Sequence, residues 1–332
     1  MSNAPGLRAQ LLSQYPELHD PMNHPRFTGV PSFFRAPTAK SAEGVDIAVV
    51  GIPYDGGVTN RSGARLGPRD IRVQSTIMRG YNQATGAAPF ETAKVADLGD
   101  AWPVNPFELI SAHREITSFF DEIVAAGATT LAVGGDHSVS LPVLRSVARS
   151  GPVAFIQFDA HCDTGGNYQG SKYHHGSPFS AAVEEGLIDP KRSVQIGIRG
   201  GTIVPDLWKF SFDHGMRVVM IDELMERGVK DVMAEARKIV GDMPVYVTFD
   251  IDVLDPAYAP GTGTPEIGGI TSFQAQQLVR SLRGLNVIGA DLVEVAPSFD
   301  PTGSTGLIGA TILFELLCVL AEARAARKGT AR

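Results

Sequence analysis

With 332 residues, 43% apolar and 20% charged, the chain has material for one large α/β domain or two ordinary ones. A net charge of −7 argues against a nucleic-acid partner, which would show as a basic face. Two cysteines, Cys162 and Cys318, make no disulfide framework and point to a reducing, cytoplasmic compartment.

Residues 1–43 are rich in Pro, His and polar residues, with "FTGVPSFFRAP" as their apolar anchor. They read as an irregular N-terminal arm that packs on the domain or on a neighbouring subunit. The first stretch has no apolar h-region, so no secretory signal is expected. A single domain is expected over 44–328, because no linker, repeat or low-complexity tract divides it.

Within that domain, short Val/Ile-rich runs alternate with helical patterns. "VDIAVVGIP", "KVADLGD", "TTLAVGGD", "VAFIQFDAH", "SVQIGIR", "MRVVMID", "VYVTFDID" and "NVIGADLVEV" read as strands. "PFELISAHREITSFFDEIVAAG", "SVSLPVLRSVARS" and "DELMERGVKDVMAEARKIVG" read as helices between them. Continuous apolar runs belong to strands covered on both faces, so the expected fold is a mostly parallel sheet of about eight strands with helices on each side. The last apolar segment, "LIGATILFELLCVLAEARAARK", is interrupted by Glu315 and Glu322. It predicts a buried helix rather than a membrane span, which needs about 20 predominantly apolar residues.

Charged groups collect where the strand candidates end, which is the edge at which open α/β sheets bind ligands. The first is His137 in "GGDHS", where Asp136 or Ser138 is expected to cap the next helix. The second is "DAHCDT": as a strand end it would aim Asp159, His161 and Asp163 to one side and Cys162 to the other. The third is Asp250 and Asp252 in "TFDID", again two residues apart. Burying such groups together is expensive unless a cation lies between them. A single zinc needs three or four ligands, whereas six groups suit two ions about 3.5–4 Å apart. Carboxylate-rich donors favour Mn²⁺, with Ni²⁺ or Co²⁺ also acceptable.

"GGDHS", "DAHCDT" and "TFDIDVLDPAYAPGTGTPE" are similar, in this order, to the three signature segments of the ureohydrolases, the family of arginases, agmatinases and guanidino-acid hydrolases. The likeness spans roughly residues 45–325. It implies a three-layer α/β/α fold and a two-manganese centre that hydrolyses a guanidinium group to urea and an amine. Carried over by motif, His137, Asp159, Asp163 and Asp250 hold one ion, while Asp159, His161, Asp250 and Asp252 hold the other. Glu294 in "DLVEVAP" falls where the family grips the guanidinium, and a carboxylate suits that forked cation. His175 in "KYHHGSPF", preferred over His174, matches the family's proton shuttle, and Asp163 is expected to relay a proton to the leaving amine.

The loop "TGGNYQGSKYHHGSPF" and the stretch "IPYDGGVTNRSGARLGP" resemble guanidinobutyrases more than arginases. Asn167, Lys172 and Arg61 are the expected contacts to the substrate tail. Positive charge from Lys172 and Arg61 would draw a carboxylate, so the expected substrate is 4-guanidinobutanoate. Agmatine, 3-guanidinopropanoate, guanidine or a substituted biguanide are the alternatives, and an inactive regulatory subunit or a binuclear phosphoesterase are readings from other classes. The family further implies a homo-oligomer, a trimer or hexamer.

Overall fold

The eight apolar runs form strands β1 (Ile47–Gly51), β2 (Val95–Asp100), β3 (Thr129–Val133), β4 (Val153–Phe158), β5 (Ile188–Ile198), β6 (Arg217–Met220), β7 (Val245–Asp250) and β8 (Val287–Val293). The computed structural model describes residues 25–330, so the first 24 residues of the expected arm lie outside the described residues. The strands pair in one parallel sheet in the order β2-β1-β3-β8-β7-β4-β5-β6.

Helices α1 (Gly67–Gln74), α2 (Pro89–Thr92), α3 (Leu109–Ala125), α4 (Ser140–Val147), α5 (Pro178–Glu184), α6 (Lys209–His214), α7 (Ile221–Val240), α8 (Ser272–Arg280) and α9 (Ser304–Thr330) connect or follow the strands. Successive strand side chains point to opposite faces. Ile47 and Val49 therefore join a core with α1, α7, α8 and α9. Ala48 and Val50 join one with α3, α4 and α5. Every residue of β1, β3, β4 and β7 is buried, as strands with helices on both faces require.

The pattern expected over 222–241 is interrupted at Gly228, whose φ of 78° breaks α7 into two helical pieces. Helix α9 is long and apolar enough to cross a membrane, yet 78% of its apolar window is buried inside the protein. It packs on β8, α8 and α1 as a core helix. Helix α8, which abuts it, starts with a reciprocal cap. Gln274 N donates to Thr271 Oγ1 at 3.2 Å, and Thr271 N donates to Gln274 Oε1 at 2.9 Å. Thr271→Ala is expected to cost about 1 kcal/mol, read as a lower urea midpoint with an unchanged slope.

Only the second half of "FTGVPSFFRAP" anchors the described part of the arm. Phe33 and Phe34 are buried, whereas Phe27 and Val30 are 91% and 87% exposed. Phe33 N donates to Asp97 Oδ2 at 2.8 Å, and the Arg72 guanidinium lies 4.2 Å over the Phe33 ring.

What positions the site is the strand order. The four strands that precede the charged clusters, β3, β8, β7 and β4, are consecutive neighbours at the centre of the sheet. Neighbouring strands are about 4.8 Å apart. Residues up to 157 positions apart in the chain are thereby delivered to one crevice at the carboxyl edge, as the His137–Glu294 contact demonstrates.

Candidate metal centre

Each cluster begins with an aspartate that turns the chain as its strand ends. Ser138 N donates to Asp136 Oδ1 at 2.9 Å, His161 N to Asp159 Oδ1 at 2.6 Å, and Asp252 N to Asp250 Oδ1 at 2.8 Å. A short acidic side chain that bonds the backbone two residues on competes with strand geometry. For this reason strand alternation does not place the later members of each cluster. Strand β4 stops at Phe158, so Asp159, His161 and Asp163 are presented by a loop and not by one strand face. Asp163 takes a left-handed backbone, φ 50°. Asp252 likewise sits in a helical turn beyond β7. Cys162 packs against Ile198 and Val218, although it also touches the cavity. Gly135 before His137 serves a close approach: a Cβ there would lie 1.7 Å from Tyr54 O.

Six side chains converge. His137 Nδ1 lies 3.1 Å from Asp159 Oδ2, 2.9 Å from Asp163 Oδ2 and 3.1 Å from Asp250 Oδ2. His161 Nδ1 lies 3.1 Å from Asp252 Oδ2 and 3.6 Å from Asp159 Oδ1. Two cages result, His137-Asp159-Asp163-Asp250 and Asp159-His161-Asp252, with Asp159 common to both. Asp250 stands in the first cage only. His137 Nδ1 is buried and makes no hydrogen bond despite three carboxylate oxygens around it. Three carboxylate oxygens around one imidazole nitrogen mark a place for a cation, a trapped proton or a metal ion.

The electrostatics agree. Burial, then Asp252 and Asp159, push the Asp250 carboxyl well above the usual carboxylate range. Burial raises Asp252 to about 6 and, with the Asp159 charge, raises Asp163. Asp159 alone is lowered, because His137 and His161 outweigh its burial. Burial opposes protonation of both imidazoles, but the surrounding carboxylates hold both well above their ordinary value. Excess negative charge is thus accommodated only by trapping protons. Oxygen-rich donors with two imidazoles fit a pair of divalent ions.

Beside the cages, Glu294 follows β8 with a left-handed φ of 65°. Its Oε1 receives His137 N at 2.9 Å and His175 Nδ1 at 2.9 Å. Its Oε2 is buried without a partner. His175 Nε2 meets Thr59 Oγ1 at 2.7 Å. Burial opposes charge on His175, yet Glu294 lifts it to about 9. His174 instead braces its own loop through Gly166 O at 2.9 Å and Gly176 N at 3.1 Å.

A cavity of about 320 Å³ opens over the cages, and Asn167, Thr59, His175, Thr202 and Trp208 are among its walls. Lys172 and Arg61 are not. Lys172 Nζ pairs with Glu184 at 2.5 Å. Arg61 Nη2 donates to Thr262 O at 2.7 Å and its guanidinium covers the Phe299 ring at 4.3 Å. Arg199 does border the cavity, but its donors hold the carbonyls of Gly197, Asp252, Val253, Leu254 and Glu266. Thr59 and Arg199 escape the sequence reading. Their signal is weak: each is a lone polar residue in a turn or at a strand end.

Fold and site define an α/β enzyme with a histidine–aspartate cluster suited to two metal ions. The arginase family profile matches residues 45–318, and the chain belongs to that family, as a hydrolase of C–N bonds in guanidino compounds. It is 52% identical to the guanidinopropionase of Pseudomonas aeruginosa over 94% of this chain and 98% of that one. It is 51% identical to the mitochondrial agmatinase of Gallus gallus over 89% and 87%. Among solved structures, the proclavaminate amidino hydrolase of Streptomyces clavuligerus superposes with a TM-score of 0.86, at 41% identity, over 91% and 99%.

Proposed function

We propose that this chain releases urea from a short ω-guanidino acid, 3-guanidinopropanoate first and 4-guanidinobutanoate second, at a pair of Mn²⁺ ions. The observation that carries the reading is the buried, partnerless Glu294 Oε2 beside the two cages. It is an anionic acceptor in need of a donor, and a guanidinium offers a planar fork of them.

His137, Asp159, Asp163 and Asp250 would hold one ion, and Asp159, His161 and Asp252 the other; Ni²⁺ or Co²⁺ would also fit the donors. Bound ions of this kind lower the pKa of water towards neutrality. Glu294 orients the guanidinium. Asp163 would take the proton that water loses on adding to the guanidinium carbon and pass it to the amine as the C–N bond breaks. His175 exchanges protons with the cavity at Nε2, next to the Thr59 hydroxyl.

The substrate's tail would rest on neutral groups, Asn167 and Thr202 among them, since Lys172 and Arg61 are engaged elsewhere. Amide and hydroxyl donors suit a carboxylate, and the likeness to guanidinopropionase sets the shorter acid ahead of the butanoate expected from the loop sequences. The catalytic domain would span residues 44–328, behind an arm. Two buried free thiols suit a reducing compartment such as the cytoplasm. Exposed Trp102, Val104 and Phe107 support a homo-oligomer.

The test is urea release after Mn²⁺ reconstitution from 3-guanidinopropanoate, 4-guanidinobutanoate, agmatine, arginine and guanidine. The propanoate is expected to give the highest kcat/KM. Faster turnover of agmatine than of either acid would overturn the assignment of the tail.

A further inference from the structure

A row of buried polar side chains crosses the sheet one layer below the ligands, where an apolar core would be expected. Gln195 on β5, Gln157 on β4, Thr248 on β7 and Asp291 on β8 are all 0% exposed. Parallel register sets them side by side: Gln157 with Gln195, Gln157 with Thr248, and Thr248 with Asp291. Buried polar groups in such a row are costly unless each is satisfied, and a satisfied network fixes the side chains it reaches.

One end of the row reaches His137. Its Nε2 lies 2.8 Å from Thr248 Oγ1, and Thr248 Oγ1 donates in turn to Asp291 Oδ1. Tyr246 OH donates to Asp291 Oδ2 at 2.6 Å. A threonine hydroxyl has one proton. Given to Asp291, it leaves Thr248 only as an acceptor towards His137, so Nε2 carries the proton of the neutral imidazole and Nδ1 is the nitrogen left with a lone pair once a metal ion displaces the trapped proton. That Nδ1 is the nitrogen among Asp159, Asp163 and Asp250.

The geometry points to Asp291 as a positioning residue that acts through Thr248 to select the ligating tautomer of His137. This rests on the proposed two-ion site. An amide at position 291 can donate to Thr248, which turns the hydroxyl proton towards Nε2 and moves the imidazole proton to Nδ1, facing the cation. Exchange of a carboxylate for an amide inverts a hydrogen-bonded imidazole in this way elsewhere. Groups that hold a metal-binding histidine are worth about 10–100-fold in metal affinity.

The experiment titrates Mn²⁺ into chelator-treated full-length protein, wild type against Asp291→Asn, Thr248→Val and Thr248→Ser. Calorimetry gives the number and affinity of ions, and electron paramagnetic resonance reads the coupling between them. Wild type is expected to take two coupled ions. Asp291→Asn and Thr248→Val are expected to weaken one of them by about 10–100-fold and to abolish the coupling at limiting metal. Thr248→Ser, which keeps the hydroxyl, is expected to retain both. Circular dichroism checks each fold, and Thr248→Val decides the matter if Asp291→Asn does not fold. If wild type holds fewer than two ions, the two-ion reading falls and takes this inference with it. If wild type holds two and both variants match it, or lose both ions equally, the tautomer role alone is overturned.

Discussion

Asp250→Asn is expected to raise the thermal stability of the metal-free protein, lower that of the Mn²⁺-loaded protein, and cut urea release by on the order of a thousandfold. The fold should survive, because an asparagine Oδ1 still accepts the Asp252 N–H that closes the turn after β7. The opposite signs follow from charge. Burial, then Asp252 and Asp159, hold the Asp250 carboxyl well above the usual range. The unfolded chain gives up that proton near pH 4. Between that pH and the higher folded value, the folded metal-free chain binds more protons, so its stability falls as pH rises. Removing the carboxylate removes this loss. With cations present the carboxylate becomes a ligand, and each ion at a hundred times its Kd adds about 2.7 kcal/mol that the variant gives up in part. Thermal unfolding at pH 5 and pH 8, in chelator and in excess Mn²⁺, checks both signs. Shifts in the same direction with and without metal would contradict the charge argument.

The contrast between what was legible in the sequence and what was not has a physical origin. Strands such as "VYVTFD" are short, continuously apolar and closed by an aspartate, so β7 and the position of Asp250 follow from local pattern. Asp163 and Glu294 follow from motif alone. Their left-handed backbones are imposed by tertiary contacts such as the 3.1 Å bond from Phe179 N to Asp163 O, and no periodicity announces them. Lys172 illustrates the reverse case. As a lone cation near the cavity loop it invited a role in binding, but docking of that loop beside α5 brings it to Glu184. The Thr248–Asp291 pair is visible as polar residues inside apolar runs, yet its meaning depends on register between β7 and β8, which a single sequence does not supply.

Glu294→Gln is expected to leave two ions bound while lowering kcat/KM by on the order of 10²–10⁴-fold, mostly through KM. Hydrogen bonds to charged groups contribute about 1.5–3 kcal/mol each, and a guanidinium fork makes two. Glutamine keeps an oxygen for His137 N and His175 Nδ1 but sets an NH₂ donor against the donors of the substrate. The same change has a second readout. In the parent chain burial disfavours the His175 imidazolium, yet Glu294 carries it to about 9. A histidine raised in this way stabilises the fold fully below its unfolded value near 6.5 and loses that contribution as pH climbs through 9. Without the Glu294 charge, burial remains and the titration should fall towards or below 6.5, flattening the stability profile over that window. A proton NMR titration of the His175 Cε1–H reports it directly. Retained substrate affinity would mean that the partnerless oxygen of Glu294 faces something other than a guanidinium, and a His175 titration that stays near 9 would mean that Asp163 and Asp136, rather than Glu294, raise it.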